Sequence, residues 1–215
     1  MEKRIPVVAV FDIGKTNKKL LVFDEQYNVV KEEVAAFDEI ADDDGFPSEN
    51  LDALTLWVLK LYRELRYSVR FQLKAVNFST YGASMVNIDA AGNRIGYLYN
   101  YLKPYPQDLM EAFLANRGGS GAFAESTSSP IMGHLNAGMQ LYWLKKRKAE
   151  LFERIITSLH FPQYLSFLIT GKIFAETTNV GCHSALWSFV DMDYHPWVKE
   201  EGIREKLANV IKGDA

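Results

Sequence analysis

Three short apolar runs, each cut off by turn-forming residues, fill the first forty positions and leave the chain little choice of local structure. Ile5-Pro6-Val7-Val8-Ala9-Val10-Phe11 is rich in β-branched residues and stops at Asp12-Ile13-Gly14-Lys15-Thr16-Asn17. Leu20-Leu21-Val22-Phe23 ends at Asp24-Glu25, and a third run from Val29 to Phe37 follows Tyr27-Asn28. Short strands joined by tight turns pair with their neighbours in sequence, so an antiparallel meander is expected.

The period then changes. Leu51, Leu54, Val58, Leu61, Leu65 and Val69 recur at spacings of three and four, which predicts a helix with Ser48 as its N-cap after Pro47. Leu73 to Phe78 and Ser84 to Asp89 return to strand character, and Ala91-Gly92-Asn93 reads as a turn before Ile95 to Tyr99. Beyond Pro106 the pattern predicts helices over 107–116, 136–148, 149–158 and 162–170, with Gly118-Gly119-Ser120-Gly121 as a loop. The order βββ-α-β-α implies an α/β layer fold, whose first strand and turn are the natural place for a site.

Composition narrows the function. The 24 Lys+Arg against 27 Asp+Glu give a net charge of −3, which argues against nucleic-acid or anionic-membrane binding through bulk charge. Cys182 is the single cysteine, so neither an intramolecular disulfide nor a multi-thiolate metal site can form. His134, His160, His183 and His195 show no i,i+4 pair, against a zinc-hydrolase helix. His134 and His183 read as structural histidines, and Lys145-Lys146-Arg147-Lys148 as a solvated helix end. Met1 to Pro6 opens on too short an apolar run for a signal peptide, and no stretch reaches the roughly 18 apolar residues of a membrane span. The expectation is a soluble, cytoplasmic protein.

Asp12 to Asn17 is the most informative stretch. Gly14-Lys15-Thr16 suggests a P-loop, but Ala9 stands where that motif needs glycine, and a strand rather than a helix follows. The pattern fits a β-hairpin whose tip offers backbone N–H groups and short hydroxyls to a phosphate, with a carboxylate placed for hydrated Mg²⁺. A solvated hairpin with an ordinary turn Asp and Gly fits equally.

Asp12-Ile13-Gly14-Lys15-Thr16-Asn17-Lys18-Lys19 resembles the first phosphate motif of the FGGY-family carbohydrate kinases, members of the actin, hexokinase and Hsp70-like ATPase superfamily. Lys19 matches the family's basic residue after the hairpin, whereas Lys15 stands where a small hydroxyl residue is commoner. Ser79 to Asp89, with its Thr80-Tyr81-Gly82 core, looks like the sugar-contact turn of the rhamnulokinase and fuculokinase branch. Leu135 to Leu144 resembles the FGGY helix signature, with Gln140 in place of the usual Lys. Pro162 to Gly171 and Glu176-Thr177-Thr178-Asn179 resemble the segments that follow. Lys103-Pro104 and Tyr99-Asn100-Tyr101 lack the arginines that many relatives carry there.

The resemblance implies a ribonuclease H-like domain, with a mixed five-stranded sheet opened by a three-stranded antiparallel meander and flanked by helices. It implies that residues 1–215 are the N-terminal sugar-binding domain of a two-domain ATP-dependent kinase, its C-terminal ATP-binding domain absent from this chain. The substrate would be a ketose such as L-rhamnulose or L-fuculose; xylulose, glycerol or another polyol, and a non-catalytic sugar-binding module, are the alternatives. Gly14, Lys15, Thr16 and Asn17 would hold phosphate and Asp12 the Mg²⁺. Thr80, Tyr81, Gly82, Ala83, Asn136 and Gln140 would meet the sugar. The catalytic base would lie beyond Ala215, since Asp191, Asp193 and Asp214 lack the family's Gly-x-x-His-Asp context. The cofactors would be ATP and Mg²⁺, and a homodimer stays open.

Overall fold

The structure, a computed structural model, describes residues 3–211, so Asp214 lies outside the described residues. The described chain falls into two units. The first takes in residues up to Ile40, then Glu49–Tyr81 and Leu165–Lys172; the second takes in Ala41–Ser48, Gly82–Tyr164 and the residues from Ile173 on.

In the first unit, β1 (Ile5–Ile13), β2 (Lys18–Phe23) and β3 (Val29–Ala35) form the expected antiparallel meander. Helix α1 (Leu51–Arg66) returns the chain so that β4 (Phe71–Thr80) pairs parallel with β1, giving the order β3-β2-β1-β4. Alternation along β1 buries Val7, Ala9, Phe11 and Ile13 and leaves Asp12 exposed. Leu51, Leu54, Val58, Leu61 and Leu65 of α1 are buried as their spacing predicts, and the Phe11 ring stacks on Phe78 at 5.4 Å and meets the Trp57 edge at 5.8 Å. Val69 does not join this face; it lies past the helix end at Arg66 and is exposed. The N-cap is Asn50, whose side-chain oxygen accepts from the Ala53 N–H at 3.1 Å, and not Ser48, whose buried hydroxyl donates to the Leu98 carbonyl within the second unit.

The mixed sheet has four strands among the described residues, one fewer than expected. After Thr80 the chain turns away, and Met85–Ile88 pairs with Arg94–Ile95 and Thr157–His160 in a separate three-stranded sheet. That pairing also shortens the helix expected over 149–158 to Ala149–Arg154. Other helices of the second unit are Gln107–Ala115, Gly119–Thr127, Ala137–Arg147, Thr177–Val180 and Pro196–Glu200, and Phe161–Thr170 begins there. The expected loop at 118–121 is helical from Gly119. Gly118 and Gly119 take left-handed φ of +73° and +82°, after which the helix buries Phe123 against Phe113, 5.0 Å between ring centres. Lys145 to Lys148 are not merely solvated: Lys145 and Lys146 pair with Glu201, and Lys148 pairs with Asp43 and Asp44. No helix among the described residues is long and apolar enough to cross a membrane.

Two contacts of the second unit generate tests. The Gly138 N–H donates to the Ser184 carbonyl at 2.8 Å, and a Cβ on Gly138 would lie 2.9 Å from that oxygen and 2.8 Å from Leu186. Gly138→Ala is expected to cost about 1–3 kcal/mol in urea denaturation, whereas Gly121→Ala, which meets nothing within 4 Å, should not destabilise. His134 and His160 are buried, and burial depresses both to about 4 from the ordinary 6.5. The unfolded chain therefore takes up protons first as pH falls. These two groups leave stability full above pH 6.5 and make it decline toward pH 4 with a slope of about two protons; at lower pH it falls further as carboxylates held below their usual range, Asp42, Asp44 and Glu201 among them, are protonated, and denaturation at stepped pH reads the slope.

Candidate functional site

The first hairpin is closed by the Gly14 N–H donating to the Asn17 carbonyl at 3.0 Å, which leaves Lys15 and Thr16 at the tip. Gly14 is needed for close approach, since a Cβ there would sit 3.0 Å from that same carbonyl. The tip N–H groups of Lys15 and Thr16 have no partner among the described residues, and Thr16 and Asn17 are exposed. The Lys15 ammonium is held by Glu39.

Register places two rows of side chains across the end of this sheet. Asp12, Lys19 and Ser79 are adjacent on the exposed face, and Ile13, Lys18 and Thr80 on the buried one. The Asp12 carboxylate makes no hydrogen bond or ion pair among the described residues. An uncommitted hard oxygen donor beside unpartnered backbone N–H groups suits a hydrated Mg²⁺ and a phosphate, so the residues present fit the group that the sequence implies.

The buried row holds a charge that the sequence reading passed over. Lys18 is 1% exposed; its ammonium donates to the Lys15 carbonyl at 2.9 Å and lies 3.0 Å from Glu49 Oε2, itself buried. The Tyr81 hydroxyl donates to the same Glu49 oxygen at 3.0 Å, and the Thr80 hydroxyl donates to the Tyr81 carbonyl. The signal was present: Lys18, Leu20 and Val22 alternate on one face of β2. Beginning the strand at Leu20 hid it.

In the second unit, Gly82 is exposed, and a Cβ on it would sit 3.4 Å from Asn179 Oδ1. The Ala83 carbonyl accepts from the Gln140 amide at 2.9 Å, and that amide also donates to the His134 carbonyl at 2.7 Å. Asn136 donates to the Pro130 and His183 carbonyls and accepts from the Met132 N–H. Both amides are buried, and their polar atoms face backbone groups of this chain. His134 is buried between Tyr105 and Trp143, whereas His183 is exposed.

Asp42, Asp43 and Asp44 bring carboxylate oxygens within 4.8 Å of one another. Lys103 lies 2.6 Å from Asp42 and 2.5 Å from Asp44, and over the Trp143 ring at 5.0 Å, while Lys148 reaches Asp43 and Asp44. The Lys103 and Lys148 ammonium groups hold the Asp44 carboxyl below its usual range, so the trio is already paired with cations of its own unit. Asp191 accepts from the Ser188 hydroxyl at 2.8 Å and Asp193 from the Tyr194 N–H at 2.7 Å, in a short hairpin that holds none of the expected site residues.

A meander closed by a parallel fourth strand is the ribonuclease H-like fold, shared with solved carbohydrate kinase structures. Within that class the chain belongs to the FGGY family of carbohydrate kinases, whose N-terminal domain matches residues 7–211. Over 210 residues it is 25% identical to a probable L-xylulose kinase of Pasteurella multocida (strain Pm70), covering 93% of this chain and 42% of that protein. A carbohydrate kinase from Novosphingobium aromaticivorans superposes with a TM-score of 0.79 at 24% identity, covering 94% of this chain and 42% of its own. Plasmodium falciparum glycerol kinase with ADP gives 0.77 at 15% identity, covering 98% and 44%. The chain thus spans less than half the length of these relatives.

Proposed function

We propose that this chain is the sugar-binding, N-terminal part of an ATP-dependent kinase that moves the γ-phosphate of ATP to a hydroxyl of a ketose. The hairpin carries this reading: at Asp12 a carboxylate without a partner among the described residues shares one hairpin with equally unpartnered N–H groups at Lys15 and Thr16, in a chain of the carbohydrate kinase family. ATP with Mg²⁺ would supply the phosphoryl group and the cation that offsets its charge.

The chain's own residues then have separate tasks. Asp12 holds the hydrated cation by one carboxylate, and the tip N–H groups, with the Thr16 hydroxyl and Asn17, take phosphate oxygens. Lys19, next to Asp12 in register, adds positive charge on the same face. Tyr81 offers a flat ring and Thr80 a hydroxyl to the sugar, while Gly82 and Ala83 allow close backbone approach. Asn136 and Gln140 serve the sugar at one remove: Gln140 holds the Ala83 carbonyl, and Asn136 holds the His183 and Pro130 carbonyls. The adenine site, the carboxylate base and the closure that excludes water are assigned to a C-terminal domain, an assignment the relatives' greater length supports. A cytoplasmic setting goes with ATP as donor.

The likeness of Thr80-Tyr81-Gly82 to the rhamnulokinase and fuculokinase branch favours L-rhamnulose or L-fuculose. A second reading, xylulose or a related polyol, is favoured by the Pasteurella relative.

A panel of L-rhamnulose, L-fuculose, L-xylulose, D-xylulose and glycerol, offered to the kinase with both domains, separates the two. The preferred ketose should win by orders of magnitude, because a site built for a hydroxyl rejects the analogue lacking it. Asp12→Asn should lower phosphoryl transfer by about 100- to 1000-fold and leave sugar affinity, read by calorimetry, unchanged. Transfer to no member of the panel by the unsubstituted kinase would sink the reading.

A further inference from the structure

We infer that Lys18 is a positioning residue for the phosphate hairpin, aiming the Thr16 N–H at the phosphate and being held to that task by Glu49 and Tyr81. The inference rests on the kinase reading for what the hairpin holds, but not for the geometry.

A peptide group is planar and trans, so the carbonyl of one residue and the N–H of the next point in opposite directions. The Lys18 ammonium takes the Lys15 carbonyl at 2.9 Å from the buried side of the sheet. The N–H that shares this peptide plane belongs to Thr16, and it is thereby turned outward, away from the protein. With no residue between strands to stiffen it, a two-residue tip could rock about its flanking bonds; the ammonium removes that freedom at one atom.

Lys18 itself is fixed by charge. At 1% exposure it has no solvent to reach, and Glu49 Oε2 stands 3.0 Å away. That oxygen also accepts from the Tyr81 hydroxyl at 3.0 Å. Glu49 enters from the residues just before α1 and Tyr81 from just past β4, so three separate segments converge on the hairpin base. A pair kept only for stability could be replaced by apolar side chains at little cost, since desolvation offsets much of the attraction. An apolar pair, however, has nothing to offer the Lys15 carbonyl. That difference separates positioning from mere packing.

The test uses Lys18→Met and the double variant Lys18→Met/Glu49→Leu. The single change strands a buried carboxylate and should destabilise the 215-residue chain in urea; the double change should restore most of that stability. The reading of interest is amide hydrogen exchange at Gly14, whose N–H closes the turn. Gly14 protection should fall by about 10-fold or more beyond the global change in both variants, and stay low in the double variant although stability has returned. In the two-domain kinase the double variant should lose about 10- to 100-fold in kcat. Recovery of Gly14 protection and kcat along with stability would overturn the inference, making the pair structural only. Should the unsubstituted kinase phosphorylate nothing, the functional reading fails, and the exchange measurement still decides the role of Lys18.

Discussion

Burying the Lys18 ammonium under the first hairpin obliges the chain to bring a carboxylate to it, and much of the first unit follows from that obligation. An unpaired charge at that depth would cost several kcal/mol, so Glu49 must arrive just ahead of α1. Its arrival sets where α1 begins, with Asn50 as cap and Leu51 as the first buried position. α1 in turn carries the chain to β4, which lies parallel to β1 and ends one residue before Tyr81, whose hydroxyl completes the set around Glu49. One ion pair therefore joins the hairpin, the helix start and the end of the fourth strand.

The second unit solves a similar problem by different means. Its acidic turn at 42–44 is met by Lys103 and Lys148, and those ammonium groups also lie over the Tyr99 and Trp143 rings. Glu201 gathers Arg117, Lys145 and Lys146 in the same way. Charges that read as a solvated run along one helix are shared out among Glu201, Asp108 and the acidic turn, because a long cationic stem can cover aromatic surface while its head stays paired.

Most of the elements were legible from periodicity. The meander and the Ala137–Arg147 helix stand within a residue or two of their sequence-derived limits, and α1 is shorter at both ends, capped by Asn50 and ending three residues before Val69. The Asp12 to Asn17 hairpin was legible as well, since a turn between two apolar strands has few other forms. The elements misread are those that tertiary pairing decides. Thr157–His160 is a strand because Met85–Ile88 offers it a ladder, and Gly119–Thr127 is a helix because Phe123 has Phe113 to pack on. The strand's partner is far away in sequence, whereas Phe113 lies in the helix just before its own partner, across the Gly118 turn.

What the sequence alone determined is the local chemistry: the turn that exposes backbone donors beside Asp12, the helical face from Leu51 to Leu65, and the family signature that runs through both. Only the tertiary structure decided which polar groups are free and which are spent. Lys18 reads as one of two adjacent lysines after a hairpin, yet strand alternation turns it inward to Glu49 while Lys19 stays beside Asp12. Asn136 and Gln140 read as a sugar-facing pair, yet their amides are bonded to backbone carbonyls. The physical reason is common to all three. A side chain's type states what it can bind, but burial and the nearest unsatisfied group decide what it does bind, and those come from segments distant in sequence.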